Sequence, residues 1–302
     1  MTRRELFQLT AAALPAVTTQ AAEVPPVLID THIHLFEPAR FPYHPNGTYN
    51  APAQPLAPYL AFAKQAGLRH SLIIHPEPYQ DDHRYLWYCF EHEDPKGFFK
   101  GTLLLDPIDP KTPDRMSQLV KEHPNRLVAM RIHASNGPGE APTKTGAIRN
   151  RDLKDPQIQQ VWRRAADLGL AIQMHFLPHH APAIGALCAR FPQVTVILDH
   201  MGRTGMGTQA DLANVIALAK YPKVIFKYSG WSYFDKGIQV GTVVKQAHRE
   251  FGPNRIIWGG LGMDAESHKK ALATFQEHWS FASTEDRAKI AGGNALALWF
   301  KK

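Results

Sequence analysis

His32 and His34 alternate at the end of an apolar run in the stretch VLIDTHIHLF, residues 27–36. Residues i and i+2 of a strand face the same way, so both imidazoles point together. Histidines close other apolar runs too: His75 in LIIHPEPYQDD, His133 beside Arg131 in MRIHA, His175 in LAIQMHF, and His200 after Asp199 in VTVILDH. Imidazole suits zinc and other late divalent metals, and a catalytic metal site uses about three protein ligands with one position left for water. The chemistry this points to is activation of water or polarisation of a carbonyl. One His-x-His pair is weak support by itself. The same pair joined by histidines at further strand ends is strong. The competing reading is a set of hydrogen-bonded structural histidines.

These residues need elements that bring strand ends together. Short apolar runs predict strands near 27–33, 70–75, 98–105, 127–133, 170–175, 194–199, 223–228 and 255–259. Helical patterns lie between them, as at 56–66, 82–93, 156–168, 180–190, 209–220 and 240–250. Strands alternating with helices read as βαβ units and a parallel sheet. Eight repeats in this length fit a closed (β/α)8 barrel, an α/β fold in one domain. Residues 283–300 predict an extra helix with Ser283 as its cap. Two Pro- or Gly-rich insertions, 36–55 and 134–152, follow strand ends, where barrel loops build the mouth of the site.

The chain has 302 residues, 44% apolar and 20% charged, enough to bury a large core. Its formal charge is +7 with no Lys/Arg block, which argues against a nucleic-acid partner and leaves the surplus for small anions. Residues 1–22, with Arg3-Arg4 before Leu6-Phe7 and an Ala-rich run, resemble a twin-arginine signal and predict export to the periplasm. The mature domain would then be 23–302. No other stretch is long and apolar enough to predict a membrane span. Cys89 and Cys188 lack metal-ligand spacing and read as buried, reduced thiols.

DTHIH, QMHF, LDHMGR, FKYSG and GGNALALWF, in that order, resemble the amidohydrolase superfamily. The nearest branch is the amidohydrolase-related group, which includes pyrone-dicarboxylate and sugar-acid lactonases and aminocarboxymuconate-semialdehyde decarboxylases. The resemblance runs from about residue 27 to 300. It implies a TIM barrel in which His32, His34 and His175 hold a divalent metal, zinc foremost, or the substrate, and in which His200 polarises the substrate or positions water. The lactonase branch also has members that work without a metal. The implied reaction opens a lactone or similar cyclic ester of a small carboxylated substrate. Non-oxidative decarboxylation and ligand binding without turnover are the alternatives.

Arg131 and Arg203 are candidate clamps for a substrate carboxylate, with a structural ion pair as the alternative for each. His75 and Tyr49 are candidate substrate contacts, and His133 is either a ligand or pocket lining. His179 and His180 read as solvated. Of Lys227 and Tyr228, at most one faces the barrel interior. Asp199 is either structural or orients His200. The eighth strand departs from the resemblance. Its usual acid, which handles the proton of the attacking water, is replaced by Leu261 in WGGLGMD. Asp264 is the candidate replacement, and its competing role is the N-cap of the helix that follows.

Overall fold

A computed structural model describes residues 27–234 and 237–301. The twin-arginine stretch lies outside the described residues. Eight parallel strands run in sequence order: β1 (Ile29–Ile33), β2 (His70–Ile73), β3 (Phe99–Leu104), β4 (Leu127–Ala134), β5 (Ala171–Phe176), β6 (Val196–Leu198), β7 (Val224–Tyr228) and β8 (Ile256–Trp258). Helices α1 (Leu56–Gln65), α2 (Arg84–His92), α3 (Thr112–Glu122), α4 (Pro156–Leu168), α5 (Ala181–Arg190), α6 (Gln209–Ile216), α7 (Val240–Phe251) and α8 (Ala265–His278) follow the strands in turn. The expected barrel is therefore present as a single domain.

Strand parity divides the core. Side chains on the outer face pack under the helices around fully buried Trp162, Trp258 and Trp279. Inward-facing Leu72, Ala129, Ala171, Ile197, Ile225 and Ile257 fill the barrel floor. Trp299 and Phe300 pack against that floor from below. They belong to the terminal helical segment, which starts as α9 (Thr284–Ala288) and continues through π-helical turns at Lys289–Gly293 and Leu296–Phe300. Ser283 caps it as expected, accepting from Asp286 N at 3.1 Å. The predicted helix at 209–220 is α6 continued by a 3-10 turn at Ala217–Lys220. Cys89 and Cys188 are buried and unbridged.

No strand pairing joins β8 to β1 among the described residues. Side chains close that seam instead. Thr31 Oγ1 donates to Trp258 O at 2.7 Å, and Gly260 N donates to Asp30 Oδ1 at 2.9 Å. Asp30 also accepts from His32 N at 2.9 Å. Burial raises its carboxyl to about 7, against the pull of these backbone donors.

Both long insertions are pinned at their bases. Phe36 bridges Gln54, and Ala134 bridges Asn150. Each loop thus leaves and returns at the C-terminal end of the barrel, where its middle can cover the mouth.

The seam bond can be tested with an isosteric change. Thr31→Val removes a buried donor to Trp258 O. Equilibrium urea unfolding is expected to show a loss of about 1–3 kcal/mol, with faster amide exchange in β1 and β8 than in β4.

Candidate active site

The inward-facing side chains at the strand ends form two layers. The lower layer is an ion network centred on Asp199, which directly follows β6. Arg131 Nε, on β4, donates to Asp199 Oδ2 at 3.0 Å. Gln173 Nε2, on β5, lies 2.9 Å from both carboxylate oxygens. Lys227 Nζ, on β7, is 3.2 Å from Oδ1 and also donates to Thr31 O at 3.0 Å. All four side chains are buried. Burial alone would raise the Asp199 carboxyl, but the Lys227 and Arg131 charges overcome it and hold the group ionised well below the usual range. Burial lowers Lys227 in turn, and Asp199 opposes that shift.

Histidines make the upper layer. The His32 ring lies 4.4 Å from that of His200 and His200 lies 5.4 Å from His175, which is 4.9 Å from His133. Burial is the main force that lowers all of them, His200 to about 3 and His34 to about 4, so they are neutral at neutral pH.

Their partners fix two tautomers. His34 Nδ1 is 2.8 Å from Ile74 O. A carbonyl only accepts, so Nδ1 carries the proton and Nε2 keeps its lone pair. His175 Nδ1 is 3.2 Å from Arg131 Nη2. A guanidinium only donates, so here Nδ1 holds the lone pair and Nε2 carries the proton. His175 therefore presents a donor at Nε2 and is poorly set to ligate a metal through that atom. His200 Nδ1 is 2.9 Å from Ser229 Oγ. A Cβ on Gly230 would sit 2.6 Å from that nitrogen, so only glycine admits the approach.

The backbone that delivers His200 is unusual. His200, Met201, Gly202 and Arg203 all have φ between 47° and 63°. Each non-glycine residue in this region costs about 1–2 kcal/mol. Burial and the bond from Arg203 Nε to Phe176 O at 2.8 Å hold the turn.

A divalent metal fits part of this set. His32 Nε2 and His34 Nε2 face each other at 3.3 Å. That is about the edge of a tetrahedron with metal–nitrogen bonds of about 2.0–2.1 Å. His32, Asp199 and His200 each place a ligand atom within 4.8 Å of the others. His32 and His34 are the pair that would hold an ion, with the His200 ring beside His32, whereas the Asp199 oxygens already face Lys227 and Arg131. The set differs from the expected His32, His34 and His175 because Arg131 claims the His175 ring.

Other expected residues also find different places. Asp264 does not enter the ring of histidines. It is the N-cap of α8, exposed, with Oδ1 accepting from Ser267 N at 2.8 Å and Ser267 Oγ at 3.0 Å. Ser267 sits at the third helical position and completes a capping box, which is why the carboxylate turns outward. Leu261 follows β8 with φ of 56°. A Cβ on Gly259 would come 2.7 Å from His32 Cβ, so the end of β8 packs directly on the histidine.

Arg131 is chiefly the internal ion-pair partner of Asp199. Arg203 spends Nε on Phe176 O and Nη2 on Ser135 Oγ at 3.0 Å, and its guanidinium lies 5.7 Å from the centre of the Tyr233 ring. His75 donates Nε2–H to Gln80 O at 3.0 Å, a wall role. His133 keeps a buried Nε2 with no partner. Tyr49 is half-exposed, and burial pushes its hydroxyl up to about 12 against the Arg131 charge, which places it by the mouth. His180 is less solvated than expected, with Nε2 3.3 Å from Asn136 O.

Sequence reasoning passed over Gln173, placed Ser229 at the end of the seventh strand without a role, and left Lys227 undecided. Parity contained the signal: Gln173 precedes His175 by two, as Arg131 precedes His133 and Lys227 precedes Ser229. Tyr233, 5.4 Å from His200 ring to ring, carried no such signal.

The sequence model of the family described as Amidohydrolase matches residues 29–301. The chain belongs to the amidohydrolase family. It is 25% identical over 291 residues to an L-fucono-1,5-lactonase of Burkholderia ambifaria, covering 90% of this chain and 94% of that one. A Pseudomonas putida structure provisionally assigned as a 2-pyrone-4,6-dicarboxylic acid hydrolase superposes with a TM-score of 0.69 at 20% identity, covering 91% of this chain and 97% of that one. An amidohydrolase from Burkholderia multivorans with bound zinc gives 0.69 at 19% identity, covering 91% and 100%. The two structures share this fold.

The position of Asp264 has a measurable consequence. Bonding to Ser267 lowers its carboxyl below the usual carboxylate range. The contribution of a depressed acid is present above its unfolded pKa and is lost as pH falls through the folded one. Asp264→Ala is expected to cost about 1 kcal/mol at pH 7. That difference should shrink as pH falls below the usual carboxylate range, as read from urea unfolding of both proteins at each pH.

Proposed function

We propose that this amidohydrolase opens a lactone or similar cyclic ester of a small carboxylated substrate by attack of water. The observation that carries the reading is the convergence of His32, His34, His175 and His200 above the Asp199 network, with distinct donor and acceptor faces. The fuconolactonase relative, aligned along nearly its whole length, supports it.

His175 Nε2–H is the donor for the oxyanion that develops on the carbonyl. His200, held at Nδ1 by Ser229, uses Nε2. With the ring proton on the Ser229 side, Nε2 takes a proton from water as its oxygen bonds to the carbonyl carbon. It then returns that proton to the ring oxygen as the carbon–oxygen bond breaks, which yields the hydroxy acid. The low affinity of His200 for protons keeps this lone pair free across the neutral range. Arg131, itself held by Asp199, acts from below and fixes the His175 tautomer. A divalent metal held by His32 and His34, zinc first among candidates, would supply Lewis-acid polarisation of the carbonyl or water.

Leu261 in the place of the usual acid favours one rival, a non-oxidative decarboxylase, which needs no acid to deprotonate water. A lactone panel with a pH-stat separates them, because ring opening releases acid and decarboxylation releases carbon dioxide. Under the lactonase reading, His200→Ala loses about 100-fold or more in kcat, and Asp264→Ala stays within about twofold of the parent, as a capping role requires. Equal kcat for His200→Ala and the parent on every lactone turned over would reject the assignment. Elemental analysis of the protein as isolated identifies any metal.

We also infer export, supported by Arg3-Arg4 and the Ala-rich run behind them. Changing both arginines to lysine is expected to shift the protein from the periplasmic to the cytoplasmic fraction of its cells.

A further inference from the structure

The two insertions over the mouth are laced together by a closed ring of hydrogen bonds. Thr48, in the first insertion, donates its N–H and its hydroxyl to Glu77 Oε2 at 3.1 and 2.9 Å. Gln80 Nε2 donates to Glu77 Oε1 at 2.7 Å, and Gln80 Oε1 accepts from Ile148 N, in the second insertion, at 2.6 Å. Arg149 Nη1, the next residue, donates back to Thr48 Oγ1 at 2.9 Å. Glu77 and Gln80 are buried, and Gln80 holds a strained backbone with φ of 52° and ψ of −118°. A strained residue with every side-chain polar atom engaged marks a constrained site.

The ring leaves Arg149 as a fixed cation. Its Nε and Nη2 have no protein partner, and no carboxylate pairs with it among the described residues. Its charge reaches the mouth, where it helps to depress both His133 and Arg203. The buried, unpartnered Nε2 of His133 lies in the same region. Arg131 and Arg203, by contrast, have two nitrogens each tied to protein acceptors. A guanidinium with a free edge binds a carboxylate through two parallel bonds.

We propose that Arg149 is the specificity-determining residue that binds the substrate carboxylate, and that Glu77 and Gln80 are positioning residues that set its place through Thr48 and Ile148. The proposal rests on the hydrolase reading of this site only for its kinetic test.

Citrate binding, followed by calorimetry, tests it without turnover. Arg149→Met is expected to weaken citrate at least tenfold. Arg149 is half-buried and its side chain bonds only to Thr48, so the variant keeps the fold. The kinetic arm pairs a carboxylated lactone with its methyl ester. Arg149→Met should lose at least tenfold more kcat/KM on the acid than on the ester, mostly through KM. Gln80→Ala should shift KM for the acid in the same direction, by about threefold or more, with kcat held. Unchanged citrate affinity in Arg149→Met, or equal losses on acid and ester, overturns the proposal. If no lactone is turned over, the hydrolase reading fails, and the citrate result still decides the role of Arg149.

Discussion

The site depends on one buried carboxylate. Asp199 sits in the barrel interior with Arg131, Lys227 and Gln173 as its donors, drawn from strands β4, β7 and β5. A lone carboxylate there would be prohibitively desolvated, and so would either cation. Each is tolerable only because the others are present. This mutual dependence turns chemistry into geometry. The Arg131 guanidinium that satisfies Asp199 also fixes the His175 tautomer, and the Lys227 ammonium that does so reaches Thr31 O on β1. The polar layer is thereby stitched to the strand that bears His32 and His34.

The strained turn after β6 belongs to the same economy of space. Left-handed backbone at His200, Met201 and Arg203 is unfavourable locally. It persists because Arg203 is anchored on Phe176 O and His200 on Ser229, across a gap that Gly230 leaves open. Packing and hydrogen bonding hold His200 where a relaxed loop would not, which is the usual relation between stored strain and a reactive side chain.

Much of this was legible in the sequence. Alternation of apolar runs and helical patterns is enough for an eightfold barrel, and parity is enough to aim His32 and His34 together. Asp264 shows the limit. Its sequence context supports a cap and a base equally, and only the bonds to Ser267 decide, because a residue after a glycine-rich bend has no face that periodicity can assign. The tautomer of His175 was equally invisible, since it is set by Arg131, 44 positions away. The turn at 200–203 has a single glycine and no marker of its left-handed backbone. The links among Thr48, Glu77, Gln80 and Ile148 join loops whose compositions read only as irregular.

The seam between β8 and β1 gives the barrel a preferred line of weakness. Seven interfaces between neighbouring strands are ladders of backbone bonds, and each spreads load along its length. The eighth relies on Thr31 and Asp30. Thermal breathing will concentrate there, as local opening does wherever few bonds must break. The strand beside that line carries His32 and His34. As the protein is warmed, the reactive centre should therefore loosen while the rest of the cylinder is still closed, and heat inactivation should run ahead of unfolding.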